Sequence, residues 1–72
     1  MTLDDILQDI HALTNELRIY ERKYNMLSET FYEAYTNGKE PPDDAWVRDW
    51  TAWASAYQLW LRCREQFKQR PQ

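Results

Sequence analysis

Residues 44–69, DAWVRDWTAWASAYQLWLRCREQFKQ, contain neither glycine nor proline. Their large apolar side chains recur at Trp46, Trp50, Trp53, Tyr57, Trp60 and Phe67, with Arg64 in the slot before the last. A half-buried strand would alternate with period two, whereas alternating steps of four and three keep these rings on one stripe of an α-helix. The spacing predicts a helix over residues 44–69, capped by Asp43 or Asp44. Each of Pro41 and Pro42 disfavours the α conformation at the residue before it, so the segment Lys39 to Asp43 should be extended.

Upstream of the break at Gly38, a second seam runs through Leu3, Ile6, Ile10, Leu13, Leu17, Tyr20 and Tyr24. Its steps again alternate three and four, predicting a helix over residues 3–24. Thr2 is its candidate N-cap, and Asp4 and Asp5 at the start with Arg22 and Lys23 at the end complement the helix dipole. Asn25 tolerates a left-handed conformation and marks the stop. Ser28 then offers a fresh N-cap for a short helix over residues 29–37 carrying Phe31, Tyr32, Ala34 and Tyr35.

The fold class is therefore all-α: two long antiparallel amphipathic helices in a hairpin, with a short helix between them. Projected at the helical angle, the first helix confines its main apolar residues to roughly 140°, about one packing face. The third helix adds Val47, Ala54 and Leu61 on one flank of its seam and Ala52, Ala56, Leu59 and Cys63 on the other, which widens its apolar arc to roughly 240°. A two-helix hairpin leaves part of that arc uncovered. The expectation is that a second protomer or another protein covers it, giving a homodimeric four-helix-like bundle.

Seventy-two residues bury only roughly 60% of the surface exposed by the unfolded chain. A single cysteine, Cys63, allows no internal disulfide, and with one histidine, His11, it does not make up the usual zinc ligand sets. Reinforcement by self-association or a partner is the remaining route. No apolar run is long enough to span a bilayer, and the first residues are acidic where a signal peptide would be basic, so a cytoplasmic protein without membrane attachment is expected. Twelve acidic against nine basic residues, a net charge of −3, oppose direct nucleic-acid binding and favour a basic protein partner.

Catalytic chemistry finds little footing. The carboxylate pairs Asp4/Asp5 and Asp43/Asp44 sit at helix starts, where capping and the dipole account for them. His11 and Cys63 lack the orienting third group of a cysteine nucleophile system. Cys63 on an apolar flank reads as a small hydrophobe, although Arg62 and Arg64 beside it would favour a thiolate if it were exposed. One glycine cannot build a phosphate loop. Arg62, Arg64, Lys68 and Arg70 suit a helix C-terminus, and Glu16, Arg18, Glu21, Arg22 and Lys23 read as a solvated face with local ion pairs. No catalytic residue, metal site or cofactor is expected.

The segments YERKY (20–24) and SETF (28–31), followed by Gly38, an acidic stretch and a long helix rich in Trp, Tyr and Leu, resemble a group of small bacterial, often cyanobacterial, helical proteins encoded beside small toxins. The matching positions are Tyr20, Glu21, Arg22, Tyr24, Ser28, Glu29, Phe31, Tyr35, Gly38, Trp50, Tyr57 and Leu61. Asn25 stands where such sequences commonly carry glycine, and the chain has no separate DNA-binding element. The resemblance implies an antitoxin that neutralises a small toxin by direct occlusion.

Aromatic residues at helical spacing ordinarily form core, yet tryptophan is also the residue most enriched at interface hot spots. Trp46, Trp50, Trp53, Tyr57, Trp60 and Leu61 are therefore the pool from which protein-contact residues are expected. The expected function is non-enzymatic protein binding, as an antitoxin or as a homodimeric structural adaptor or assembly factor.

Overall fold

The computed structural model describes residues 2–69. Three α-helices and no strand occur among them: α1 over Leu3–Tyr24, α2 over Ser28–Thr36 and α3 over Val47–Gln69. A single 3-10 turn, Asp44–Trp46, leads into α3. The start of the third helical segment is thus tighter than an α-helix. Asp43 causes this, because its carboxylate accepts from the Ala45 amide at 2.9 Å while its carbonyl accepts from the Trp46 amide at 2.9 Å.

At the start of α1 the Thr2 hydroxyl accepts from the Asp5 amide at 3.1 Å, and the Asp5 carboxylate accepts in return from the Thr2 amide. This reciprocal box satisfies two donors that a helix start leaves open. At the other end Asn25 adopts a left-handed conformation, φ 53°, and Met26 N–H donates to the Glu21 carbonyl. Helix α2 closes with Gly38 at φ 88°, as Gly38 N–H donates to Tyr35 and Lys39 N–H to Ala34. That pairing is a Schellman stop, for which glycine is suited because it lacks a Cβ.

Ser28 departs from its expected role. It is the first residue of α2 rather than its cap, and Leu27 in the cap position makes no side-chain bond. The Glu21 carboxylate, arriving from α1, accepts from the Ser28 amide at 2.9 Å and does the capping instead. The Ser28 hydroxyl is thereby left for the core, where it accepts from the Trp53 indole N–H at 2.9 Å.

Helices α1 and α3 run antiparallel along their length, with Thr14 bonded to Trp60, Tyr20 stacked on Trp53, and Tyr24 bonded to Asp49. The body measures 44 × 22 × 17 Å. Fully buried Trp53 is its centre. Phe31 stacks on one face at 3.8 Å with an interplanar angle of 1°, while Tyr20 and Tyr24 stack near 5.8 and 5.7 Å. Phe31 also meets Trp50 edge-on at 5.2 Å. Aromatic pairs of this kind add about 0.5–1.5 kcal/mol each beyond their area burial. Leu17, Ala54 and Ala56 complete the buried cluster.

Part of the wide apolar arc of α3 is therefore closed by the chain's own short helix. The expectation that the second flank needed another molecule overlooked α2, which folds back so that Phe31 covers Trp50 and Trp53 and Tyr32 packs on Tyr57 at 5.1 Å. The hairpin arms thus have a third helix against one half of their length.

Candidate functional site

No ring of α2 packs on α3 beyond Tyr57. At that point the seam between α1 and α3 opens into a groove of roughly 390 Å³. Thr14, Leu17, Arg18 and Glu21 form one wall, Tyr57, Trp60, Leu61 and Arg64 the other, and Leu27, Ser28 and Glu29 close the end nearest α2. Both walls repeat at the one-face helical spacing, so each helix presents a continuous stripe to the groove.

The groove has an ordered aromatic wall. Tyr57 and Trp60 stack at 5.8 Å with an angle of 14°, and the Arg64 guanidinium lies 5.3 Å from the Trp60 ring centre. Trp60 donates its indole N–H to the Thr14 hydroxyl at 3.1 Å, and Thr14 in turn donates to the Ile10 carbonyl at 2.7 Å. This relay fixes the ring plane without burying it completely. Burial, and then the negative charge of nearby Glu29, push the Tyr57 phenol above its ordinary pKa. Leu27 stands at the rim 65% exposed, an unusual surplus for a leucine with an apolar floor beside it.

The six expected contact residues divide. Trp50 and Trp53 lie inside the chain's own core, at 4% and 0% exposure, and present no face to a partner. Trp46 packs edge-on against Tyr24 at 5.0 Å near the opposite end of the hairpin. Tyr57, Trp60 and Leu61 line the groove. Sequence reasoning did not single out Thr14, Arg18 or Leu27 as neighbours of these residues. A signal existed for two of them: a hydroxyl beside an apolar seam can satisfy a facing indole, and Leu27 belongs to neither long seam.

Near the opposite end of the hairpin, the Asp49 carboxylate accepts from the Tyr24 phenol and the Lys23 ammonium, each at 2.6 Å. Lys23–Asp49 is the one ion pair among the described residues. The expected local ion pairs along α1 are not formed, because Glu21 caps α2 and Lys23 reaches across to α3. Desolvation, followed by the Asp49 hydrogen bond and charge, pushes the Tyr24 pKa up to about 12. Hydrogen bonds from Lys23 and then Tyr24 hold Asp49 below its ordinary value.

Cys63 is half-buried in a shallow hollow with Asp9, Ala12, Leu13 and Leu59, a lining that does not include exposed His11. Arg62, Arg64 and Lys68 are exposed, and Arg70 of the same basic cluster lies outside the described residues. No group of three His, Cys, Asp or Glu side chains among the described residues is placed to hold a metal ion. No helix among them is long and apolar enough to cross a membrane. Comparison with protein-family models, with curated proteins and with solved structures gives no match.

Proposed function

We propose that this chain is a non-enzymatic protein-binding module whose contact surface is the open groove between α1 and the C-terminal half of α3. The observation that carries this reading is where α2 begins: its first residues, with Leu27, close one end of the groove, and Phe31 and Tyr32 pack on Trp50, Trp53 and Tyr57, leaving Trp60 and Leu61 with no third helix over them. An aromatic wall held by the Thr14 relay is a pre-ordered surface, and pre-ordering lowers the entropic cost of association. The polar rim around an apolar floor has the anatomy of a protein interface.

In its specific form, the module is an antitoxin that blocks a small basic toxin by covering its working surface. Exposed acidic residues at both ends of the molecule, Asp4, Asp5 and Asp9 on α1 and Glu40, Asp43 and Asp44 before α3, suit a basic partner. The resemblance carried by residues 20–24 and 28–31 supports the same reading. Co-expression with the product of an adjacent gene tests it. Rescue of growth by this chain, abolished by Trp60→Ala without loss of helical content, is the expected result, and rescue untouched by Trp60→Ala and Leu61→Asp would rule the groove out. A homodimeric adaptor or assembly factor uses the same groove but rescues nothing.

A further inference from the structure

We propose that Asn37 is a site of spontaneous covalent modification, at which Gly38 closes a succinimide ring with the asparagine side chain and water opens it to aspartate or isoaspartate. The chain has three asparagines, Asn15, Asn25 and Asn37, and only Asn37 precedes glycine. Asn15 lies inside α1 before Glu16, where the helix ties down the backbone. Asn25 precedes Met26, whose side chain crowds the approach and whose N–H donates to the Glu21 carbonyl. Asn37 and Gly38 are both exposed, and apart from chain neighbours no atom lies within 4 Å of the position a Cβ on Gly38 would take.

The chemistry needs only the chain and water. The deprotonated amide nitrogen of Gly38 attacks Cγ of Asn37, and the ring closes as the bond from Cγ to the side-chain nitrogen breaks and ammonia leaves. Water then adds to one of the two carbonyls flanking the ring nitrogen and breaks its bond to that nitrogen. Opening at Cγ leaves aspartate. Opening at the main-chain carbonyl leaves isoaspartate, in which the main chain runs through the former side chain. Either product exchanges a neutral amide for a carboxylate.

The end of α2 gates the reaction. At φ −86° and ψ 9° the Asn37 backbone turns the Gly38 nitrogen away from Cγ, so ring closure waits for rotation about the Asn37 Cα–C bond. That rotation breaks the Gly38 N–H bond to the Tyr35 carbonyl and the Lys39 N–H bond to the Ala34 carbonyl, each 3.1 Å. Both close the last turn of a short helix, where a fold opens at least cost. The product then keeps the turn from closing as before. A carboxylate at this end opposes the helix dipole, α2 has no basic residue in its last turn to offset it, and Glu33 one turn earlier carries the same sign. Isoaspartate also lengthens the main chain ahead of Gly38 and Lys39, which moves both donors out of register. Tyr35, whose carbonyl anchors the stop, packs on Phe31 at 5.6 Å, and Phe31 is the ring that covers Trp50 and Trp53. Conversion therefore loosens the cover of the core from its outer end.

Incubation of the full chain at mildly alkaline pH, followed by peptide mass mapping, tests the proposal. The peptide holding Asn37 should gain the mass that replaces NH2 by OH, divided between aspartate and isoaspartate, well ahead of the peptides holding Asn15 and Asn25. Asn37→Gln, which needs a larger and slower-closing ring, should remove the acidic species that ion exchange separates. Conversion should be faster in urea than in native buffer, because urea opens the last turn of α2. The converted chain and Asn37→Asp should each melt below the unmodified chain, with a Tm loss of about 1–8 °C for the added charge. A native chain in which Asn37 converts no faster than Asn15 and Asn25 overturns the site, as do acidic species that persist in Asn37→Gln. Equal rates in urea and in native buffer overturn the gating by α2, and a converted chain that melts with the unmodified one overturns the loosening.

Discussion

The indole N–H of Trp53 donates to the hydroxyl of Ser28 at 2.9 Å in the centre of the molecule, where neither residue has appreciable access to water. Ser28→Ala would leave that donor buried without a partner. The expected loss is about 1–3 kcal/mol, and for a domain of this size each kcal/mol lowers Tm by roughly 4–8 °C. Thermal and urea unfolding measure it. The two residues should also be coupled, so that Trp53→Phe costs less in the Ser28→Ala background than in the native chain.

Trp50 provides the contrast. It is almost as buried as Trp53, yet its indole N–H is a buried side-chain donor with no hydrogen-bond partner. Replacing it by phenylalanine removes an unsatisfied donor along with ring volume, whereas the same change at Trp53 removes a satisfied one and strands Ser28. Trp50→Phe is therefore expected to be the milder change by about 1 kcal/mol or more. Equal losses in urea titrations would contradict the assignment.

At Asn25 the backbone is left-handed, with φ 53°. Alanine there should cost about 1 kcal/mol, because it keeps the Cβ that crowds the following carbonyl but loses the short polar side chain that lets asparagine tolerate this conformation, whereas glycine has no Cβ and should be close to neutral. Chemical denaturation of the two variants separates this backbone effect from any loss of side-chain contact.

Two groups that share a hydrogen bond predict opposite pH limits. The Tyr24 phenol, at about 12 in the fold, ionises near 10 in the unfolded chain. Between those values the unfolded state binds fewer protons, so stability falls as pH rises from about 10 to about 12. Asp49 is held below 3.8, so its contribution is present above that value and disappears as pH falls through the lower, folded one. Tyr24→Phe should flatten the alkaline loss in part, the remainder reporting Tyr57, whose pKa is also raised. Lys23→Gln should shift the acid limit upward. Stability measured across pH in both variants distinguishes these contributions.

Local chemistry alone makes much of this molecule legible. Thr2, Asn25 and Gly38 are helix boundaries because capping and left-handed conformations depend on residue type and neighbours only, and the steps of three and four in each seam state which side of a helix seeks cover. Those signals yielded two long helices, their antiparallel pairing and an all-α class. They also identified α3 as apolar around more than one face. What they left open was the identity of the cover, since periodicity describes a helix and its faces without naming the neighbour.

Tertiary structure decided that. Phe31 on α2 reaches Trp53 only after the chain reverses at Asn25 and docks, so the separation of core Trp50 and Trp53 from groove Tyr57, Trp60 and Leu61 depends on where along α3 the first turn of α2 is set down. Ser28 shows the same division on a smaller scale. Its residue type marked a helix start, but a buried indole competed for its hydroxyl and Glu21 supplied the missing cap. The sequence by itself determined which surfaces are apolar and where each helix stops. Only packing determined which of those surfaces met one another, because burial of each donor and ring depends on groups far away in the chain.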